Sequence, residues 1–342
     1  MNVLVDDVGS FPLPSGTNRR IFEKAYVLAR KRIIKRKDIK NNDFLLENFH
    51  RVIVDSFIKK CDSGLDVVNY PQHYDMHKQF IDIIRKAMDK GTYVVDERDA
   101  IIPEVHVIKE EAKRFYERKG NKVLLRVCIT GPMELYLSEI GTTPYKDVLF
   151  MFAENIKHFA QKAMLNSKYI KTEVIVVDEP SFGFQDIDAE KDLLIEVLEK
   201  ALDFNSVQKH IHLHSPSRVQ DVLDVKNLDV LSFEYAASPQ NIKGVLKSDL
   251  ERADKQIRVG ISRTDINSII SELYDKGISK PKNEQLIDSE EVIKRRFHTA
   301  KKIFGETMTF AGPDCGLGGW PTQRIAQLLL KRTVDVVRSA DI

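Results

Sequence analysis

The sequence predicts a (β/α)8 TIM barrel, an α/β fold in which eight parallel strands are ringed by helices. Three observations carry that expectation. Short β-branched runs alternate with longer charged segments of helical periodicity. There are eight such runs, the strand count of a closed barrel. The runs also end on unusually polar residues, and the carboxyl ends of the strands are where a parallel barrel builds its site.

The strands are expected at 3–8, 66–70, 123–129, 174–179, 210–214, 229–234, 257–262 and 307–312. Helices are expected between them at 18–36, 43–61, 75–89, 104–118, 145–167, 188–202, 216–224 and 289–303. A last helix is expected at 322–338, after Pro321, because a proline suits a first helical turn whose N–H would be unpaired anyway. An extended piece at 93–97 reads as part of an insertion. The basic run Arg30 to Lys37 reads as a solvated helix face. No Pro/Ser-rich linker divides the chain, so residues 1–342 are expected to form one barrel domain with insertions near 93–118 and 275–292. A doubly wound open sheet is the rival, since periodicity does not show closure. No Gly-x-Gly-x-x-Gly follows the first run, which weakens a dinucleotide-binding form of it.

Composition narrows the partners. The 342 residues carry 53 Lys plus Arg and 51 Asp plus Glu, a formal net charge of +2. That balance gives no basic excess for a nucleic acid backbone. Apolar residues are 42% and charged residues 30%, the composition of a globular chain. A chain this long can bury roughly 75% of its unfolded surface. No apolar run approaches the ~20 residues of a spanning helix, and the first residues do not read as a secretory signal. Three widely spaced cysteines, Cys61, Cys128 and Cys315, argue against a disulfide framework and for a reducing, cytoplasmic setting. Neither a nucleic acid nor a membrane is expected as partner, and a homodimer is left open.

The chemistry collects at strand ends. The fifth run closes His210-Ile211-His212-Leu213-His214. Strand side chains alternate, so the three imidazoles share one face, and two of them can reach one ion. The bland alternative is a set of polar residues lining a barrel mouth. The sixth run deposits Glu234 on the neighbouring strand, as a third ligand or as a salt-bridge partner of a lysine. After the eighth run, Pro313-Asp314-Cys315-Gly316-Leu317-Gly318-Gly319-Trp320-Pro321 makes a tight loop holding Cys315. A thiolate is a strong zinc ligand, and glycines let backbone approach closely. Four candidate ligands for a tetrahedral ion therefore come from one rim. The fourth run ends Asp178-Glu179-Pro180, which could hold a cationic amino group or cap a helix. The first run ends Val8-Gly9-Ser10-Phe11-Pro12, where Gly9 and Ser10 offer donors for a carboxylate.

In this order, these motifs resemble the catalytic domain of cobalamin-independent methionine synthase in its short, single-domain archaeal-type form. The likeness runs from about residue 8 to residue 338, and Gly319-Trp320-Pro321-Thr322 adds to it. The broader fold group is methionine synthase/uroporphyrinogen decarboxylase-like. The resemblance implies a methyltransferase whose Zn2+ binds homocysteine as a thiolate. It implies His212, Glu234 and Cys315 as zinc ligands, with His214 where the family has a cysteine. It implies Asp178 on the amino group of the substrate and Gly9 and Ser10 on its carboxylate. The thiolate would take its methyl group from methylcobalamin, a corrinoid protein or a methyl-folate; the short form favours a corrinoid.

The chain also departs from the pattern. Imidazole in place of thiolate makes the metal complex one unit more positive. That lowers the pKa of a bound thiol and leaves the thiolate less nucleophilic. The family's glutamate in Glu-Pro-x-x-x-Asp-Met is Tyr70 here, in Tyr70-Pro71-Gln72-His73-Tyr74-Asp75-Met76. Its histidine after the seventh strand appears as Asn267, or as Asp265 on a gapless match. These changes put homocysteine in question more than zinc. A different thiol, a non-catalytic paralogue, a metal-free decarboxylase-type barrel and a metal-dependent hydrolase are the rival readings.

Overall fold

The computed structural model describes residues 2–340. Eight strands form one parallel sheet: β1 (Leu4–Val5), β2 (Val67–Asn69), β3 (Val123–Thr130), β4 (Ile170–Asp178), β5 (Gln208–Leu213), β6 (Val230–Phe233), β7 (Gln256–Ser262) and β8 (Met308–Pro313). Their order is β1-β8-β7-β6-β5-β4-β3-β2, and a parallel bridge between Asp6 and Val67 brings the two ends together. Asp66 helps there, since Val5 N–H donates to its Oδ2 at 2.8 Å and its own N–H donates to Val5 O at 2.9 Å. The (β/α)8 barrel is thus present, with a short first strand.

Strand alternation separates two environments. Ile175, Val177, Ile211, Leu213, Leu231, Phe233, Val259 and Ala311 join the large apolar core between sheet and helices. Their neighbours point into the ring. There Val67, Val174 and Phe310 make one small apolar cluster, and Val8, Cys128 and Val176 make another. Asp6, Arg126, His210, His212, Ser232 and Arg258 fill the rest of the interior, each fully buried. A barrel interior this polar is costly unless its groups pair. Asp6 binds both arginines and Ser232 lies against His212, while Arg126 Nε and Nη2 and His212 Nε2 have no partner.

Several expected helices are subdivided. The 43–61 segment is a helical turn Asp43–Leu45, a π turn Leu46–His50 and a helix Arg51–Asp62. The 104–118 segment breaks at Glu111 into Pro103–Glu110 and Ala112–Lys119. Helices Pro132–Glu139, Lys247–Ala253 and Ile266–Asp275 are additions to those expected from the sequence. The extended piece expected at 93–97 is an irregular loop with a bend at Val94 that leads into a turn at 97–99, and Tyr93 there has a φ of 55°. Arg30 is a second correction. It is buried rather than solvated, and its Nη2 donates to Gln79 O at 2.7 Å and to Tyr26 Oη at 3.0 Å. Among the described residues no helix is long and apolar enough to cross a membrane.

Candidate metal centre

His212 lies in β5 and His214 one residue beyond its end. Glu234 directly follows β6, and Cys315 stands two residues past β8. One ligand atom from each of these four side chains lies within 4.8 Å of the others. Cys315 Sγ is 3.7 Å from His214 Nε2, and His214 Nε2 is 3.6 Å from Glu234 Oε1. Among the described residues this is the one cluster of three or more His, Cys, Asp or Glu side chains placed to hold an ion.

The backbone around the cluster is tied down from several sides. Asn241 Nδ2 donates to His214 O at 3.0 Å and to Glu234 O at 2.9 Å, which joins the ends of β5 and β6. Asp314 is fully buried and accepts the backbone N–H groups of Tyr235, Ala236 and Ala237 at 2.9, 2.9 and 2.6 Å. One carboxylate thereby locks the loop after Glu234 to the loop carrying Cys315. Gly260 makes room for it, because a Cβ there would collide with Asp314. Cys315 N–H donates to Thr264 Oγ1 at 3.2 Å, and Trp320 Nε1–H donates to Thr264 O at 3.0 Å.

These residues fit a zinc ion. Two imidazoles, a carboxylate and a thiol are its ordinary donors. His212 Nδ1 is engaged with Ser232 Oγ at 3.0 Å, while His212 Nε2 is buried without a partner. Burial pushes the Cys315 thiol well above its usual pKa and lifts Glu234 to about 7. Ligands must be deprotonated to coordinate, so a divalent cation among them would reverse both shifts.

Beside the cluster is a cavity of about 370 Å³ lined by Gly9, Ser10, Gln72, Asp178, Cys315 and Gly316 among others. A larger cavity of about 800 Å³ lies between helices Arg19–Ile34 and Met76–Met88. It contains none of the four ligands, so donor chemistry rather than size locates the site. Asp178 is buried, its Oδ1 has no partner, and burial raises its carboxyl to about 6 against the pull of His214 and Arg126. The neighbouring Glu179 does different work. Its oxygens accept Met133 N–H at 3.0 Å and Glu134 N–H at 2.7 Å, at the start of helix Pro132–Glu139. Of this carboxylate pair, Glu179 caps the helix and Asp178 lines the cavity.

No protein-family model matches the sequence, and no curated protein matches it. Solved structures do match. A B12-independent methionine synthase from Shewanella sp. W3-18-1, in complex with selenomethionine, has a TM-score of 0.62 at 14% identity, covering 100% of this chain and 98% of that one. A methyltransferase from Methanosarcina mazei has a TM-score of 0.54 at 12% identity, covering 98% of this chain and 95% of that one. The likeness is one of fold.

The remaining sequence expectations divide. His210 shares the inward face with the other two imidazoles but sits deeper, edge-on to Phe310 with ring centres 4.9 Å apart, and takes no part in the cluster. Gly9 adopts the left-handed φ of +56° that lets the chain turn into the cavity wall. Its N–H is spent on Cys128 Sγ at 3.3 Å, so it is not a free donor for a carboxylate. Ser10 Oγ accepts Gly318 N–H at 3.1 Å and joins the first loop to the last. Tyr70 is fully buried and donates to Cys128 O at 2.8 Å, so it does not stand in for a carboxylate in the cavity. Asp265 is held by Arg263, whose Nε and Nη2 donate to it at 2.9 and 2.6 Å, and Asn267 is exposed on the following helix. Ser232, Asn241, Thr264 and Asp314 went unread as part of the site. Two of them carried a sequence signal: Asp314 inside the Pro-Asp-Cys-Gly-Leu motif, and Ser232 in the run that ends at Glu234.

Proposed function

We propose that this chain is a zinc-dependent methyltransferase that moves a methyl group to the sulfur of a small thiol, with homocysteine, giving methionine, as the first choice. It would belong with the cobalamin-independent methionine synthases in their short form. The observation that carries the reading is the convergence of His212, His214, Glu234 and Cys315, from three different strand ends, with ligand atoms within 4.8 Å of one another. The names of the two matching structures, a methionine synthase and a methyltransferase, agree with it.

Zn2+, when bound, would supply the Lewis acidity that lets a thiol ionise at neutral pH. His212, His214, Glu234 and Cys315 would hold it, and Glu234, the one carboxylate donor, is the group suited to yield its position to the sulfur. Asp178 would accept the ammonium group of an amino-acid thiol from its place in the cavity wall. Ser10 and Gly316 would shape the wall against the rest of the substrate. The barrel mouth contributes alignment rather than covalent catalysis. In the transfer, a sulfur lone pair forms the new S–CH3 bond while the bond from methyl to its carrier breaks. The bonding pair leaves with the carrier, and the thiol proton goes to solvent. The short-form resemblance favours methylcobalamin or a corrinoid protein over a folate as carrier.

A related reading, transfer to a different thiol, draws on Tyr70 and Asp265. Both sit where the resemblance would put working polar groups, and both are committed elsewhere. A decarboxylase-type site for a polycarboxylate finds less support, because the cavity's Arg19 and Lys78 stand beside Glu23, Asp75 and Asp178.

The test combines metal and turnover. Elemental analysis of the purified chain should give one zinc per chain. Transfer from methylcobalamin or methyl-folate to homocysteine and to a panel of other thiols should vanish on chelation and return with Zn2+. Methyl transfer that persists after complete metal removal would sink the proposal.

A further inference from the structure

Beneath the four donors runs a buried charged chain that coordination alone does not require. Asp6, just past β1, meets two arginines inside the ring: Arg258 Nε donates to its Oδ1 at 2.6 Å and Arg126 Nη1 donates to its Oδ2. All three side chains are fully buried. The Arg258 guanidinium then reaches in two further directions. Its Nη2 donates to Pro313 O at 2.9 Å, two residues before Cys315. Its Nη1 lies 3.5 Å from Ser232 Oγ, which is itself 3.0 Å from His212 Nδ1. The pairing register explains the contact, because His212, Ser232 and Arg258 are side by side across β5, β6 and β7. Gly312 leaves the passage open, since a Cβ there would stand 2.6 Å from Arg258 Nη2.

We propose that Ser232 and Arg258 are positioning residues for the metal ligands. Ser232 occupies His212 Nδ1, so Nε2 is the nitrogen left to face the other donors. Arg258 holds the Ser232 hydroxyl on one side and the carbonyl leading to Cys315 on the other. One planar group thus sets the spacing of two ligands from different strands. A lysine, with a single compact head, cannot span Asp6, Ser232 and Pro313 together. This inference rests on the zinc reading above. A merely structural role, closing the ring at Asp6, would change stability and leave coordination alone.

Co2+ binding to the full chain separates these cases, because its d–d absorption reports ligand geometry. Affinity is read by competition with a chelator, for wild type, Ser232→Ala, Ser232→Thr and Arg258→Lys. The expected result is a loss of affinity of about 10–100-fold in Ser232→Ala and Arg258→Lys. Their d–d bands should shift, and Ser232→Thr, which keeps the hydroxyl, should behave as wild type. Should Arg258→Lys fail to fold, Ser232→Ala decides the question by itself. Wild-type affinity and an unshifted spectrum in Ser232→Ala overturn the inference and leave the zinc reading standing. A wild-type chain that binds no Co2+ overturns both.

Discussion

On the proposed function, Asp178 is the residue on which recognition of an amino-acid thiol would turn. Its buried carboxyl is raised to about 6 by burial, and its Oδ1 has no partner. A substrate ammonium would supply the missing charge. A hydrogen bond to a charged group is worth about 1.5–3 kcal/mol, so Asp178→Asn is expected to raise KM for homocysteine roughly 10–100-fold. Steady-state kinetics with homocysteine and with a thiol lacking an amino group check this, the second being indifferent to the change. His214 is the other informative position. His214→Cys would replace a neutral donor by an anionic one and make the ion less positive. On the zinc reading, the variant should still bind the metal, ionise the bound thiol at higher pH, and transfer methyl faster once the thiol is ionised. A pH–rate profile beside that of the wild type decides it; the same profile for both would remove His214 from the ligand set.

At the level of strands and loops, the site depends on close approaches that a side chain would block. At Gly312 in β8 a Cβ would meet Asp6 O as well as Arg258. Gly312→Ala is therefore expected to destabilise the fold by about 1–3 kcal/mol, the usual cost of overpacking, and to weaken metal binding with it. Urea denaturation of wild type and variant measures the first effect and metal titration the second. An equally stable variant would show that the barrel relaxes around β8. The same elements show what could be read in advance. Seven of the eight strand runs coincide with observed strands to within a few residues, because β-branched runs and their polar ends are local signals. The first strand was expected at 3–8 and keeps only Leu4–Val5, since its partner on one side is a single bridge. Glu111, at the helix break, accepts from Lys40, and the loop at 93–95 is held by Asn155 and His158 of the helix Lys146–Ala163, long-range contacts that periodicity does not report.

For the whole molecule, buried titratable groups set the pH range of stability. Burial raises Glu104 from its ordinary 4.5 to about 8, and both its carboxylate oxygens lack partners. A raised acid gives stability that is complete below 4.5 and is lost as pH climbs through 8. Burial lowers His73 from 6.5 to about 3, with its ring held between Phe11 O at 2.8 Å and Ser56 Oγ at 2.9 Å. That contribution is complete above 6.5 and is lost as pH falls toward 3. The two windows overlap at about pH 4.5–6.5, where these groups make the chain most stable. Glu104→Gln should flatten the limb on the alkaline side of that window and leave the acid limb unchanged. Thermal unfolding from acid to alkaline pH tests this; an alkaline limb as steep in the variant as in wild type assigns that limb to other groups.

The order of strands and helices, the inward face of the His-x-His-x-His run and the donor types at three strand ends all follow from residues close together in the chain. Hydrophobic alternation and turn chemistry act locally, so the sequence alone determined them. Which donors meet did not follow. His210 and His214 are equivalent in pattern, and only the depth of each strand position in the ring separates the one packed on Phe310 from the one beside Cys315. The same holds for Tyr70, whose hydroxyl turns to Cys128 O, and for Arg258, which binds parts of three strands. These are contacts between residues tens to hundreds of positions apart. Only closing the sheet on itself brings them within a few ångströms, and so only the tertiary structure decided them.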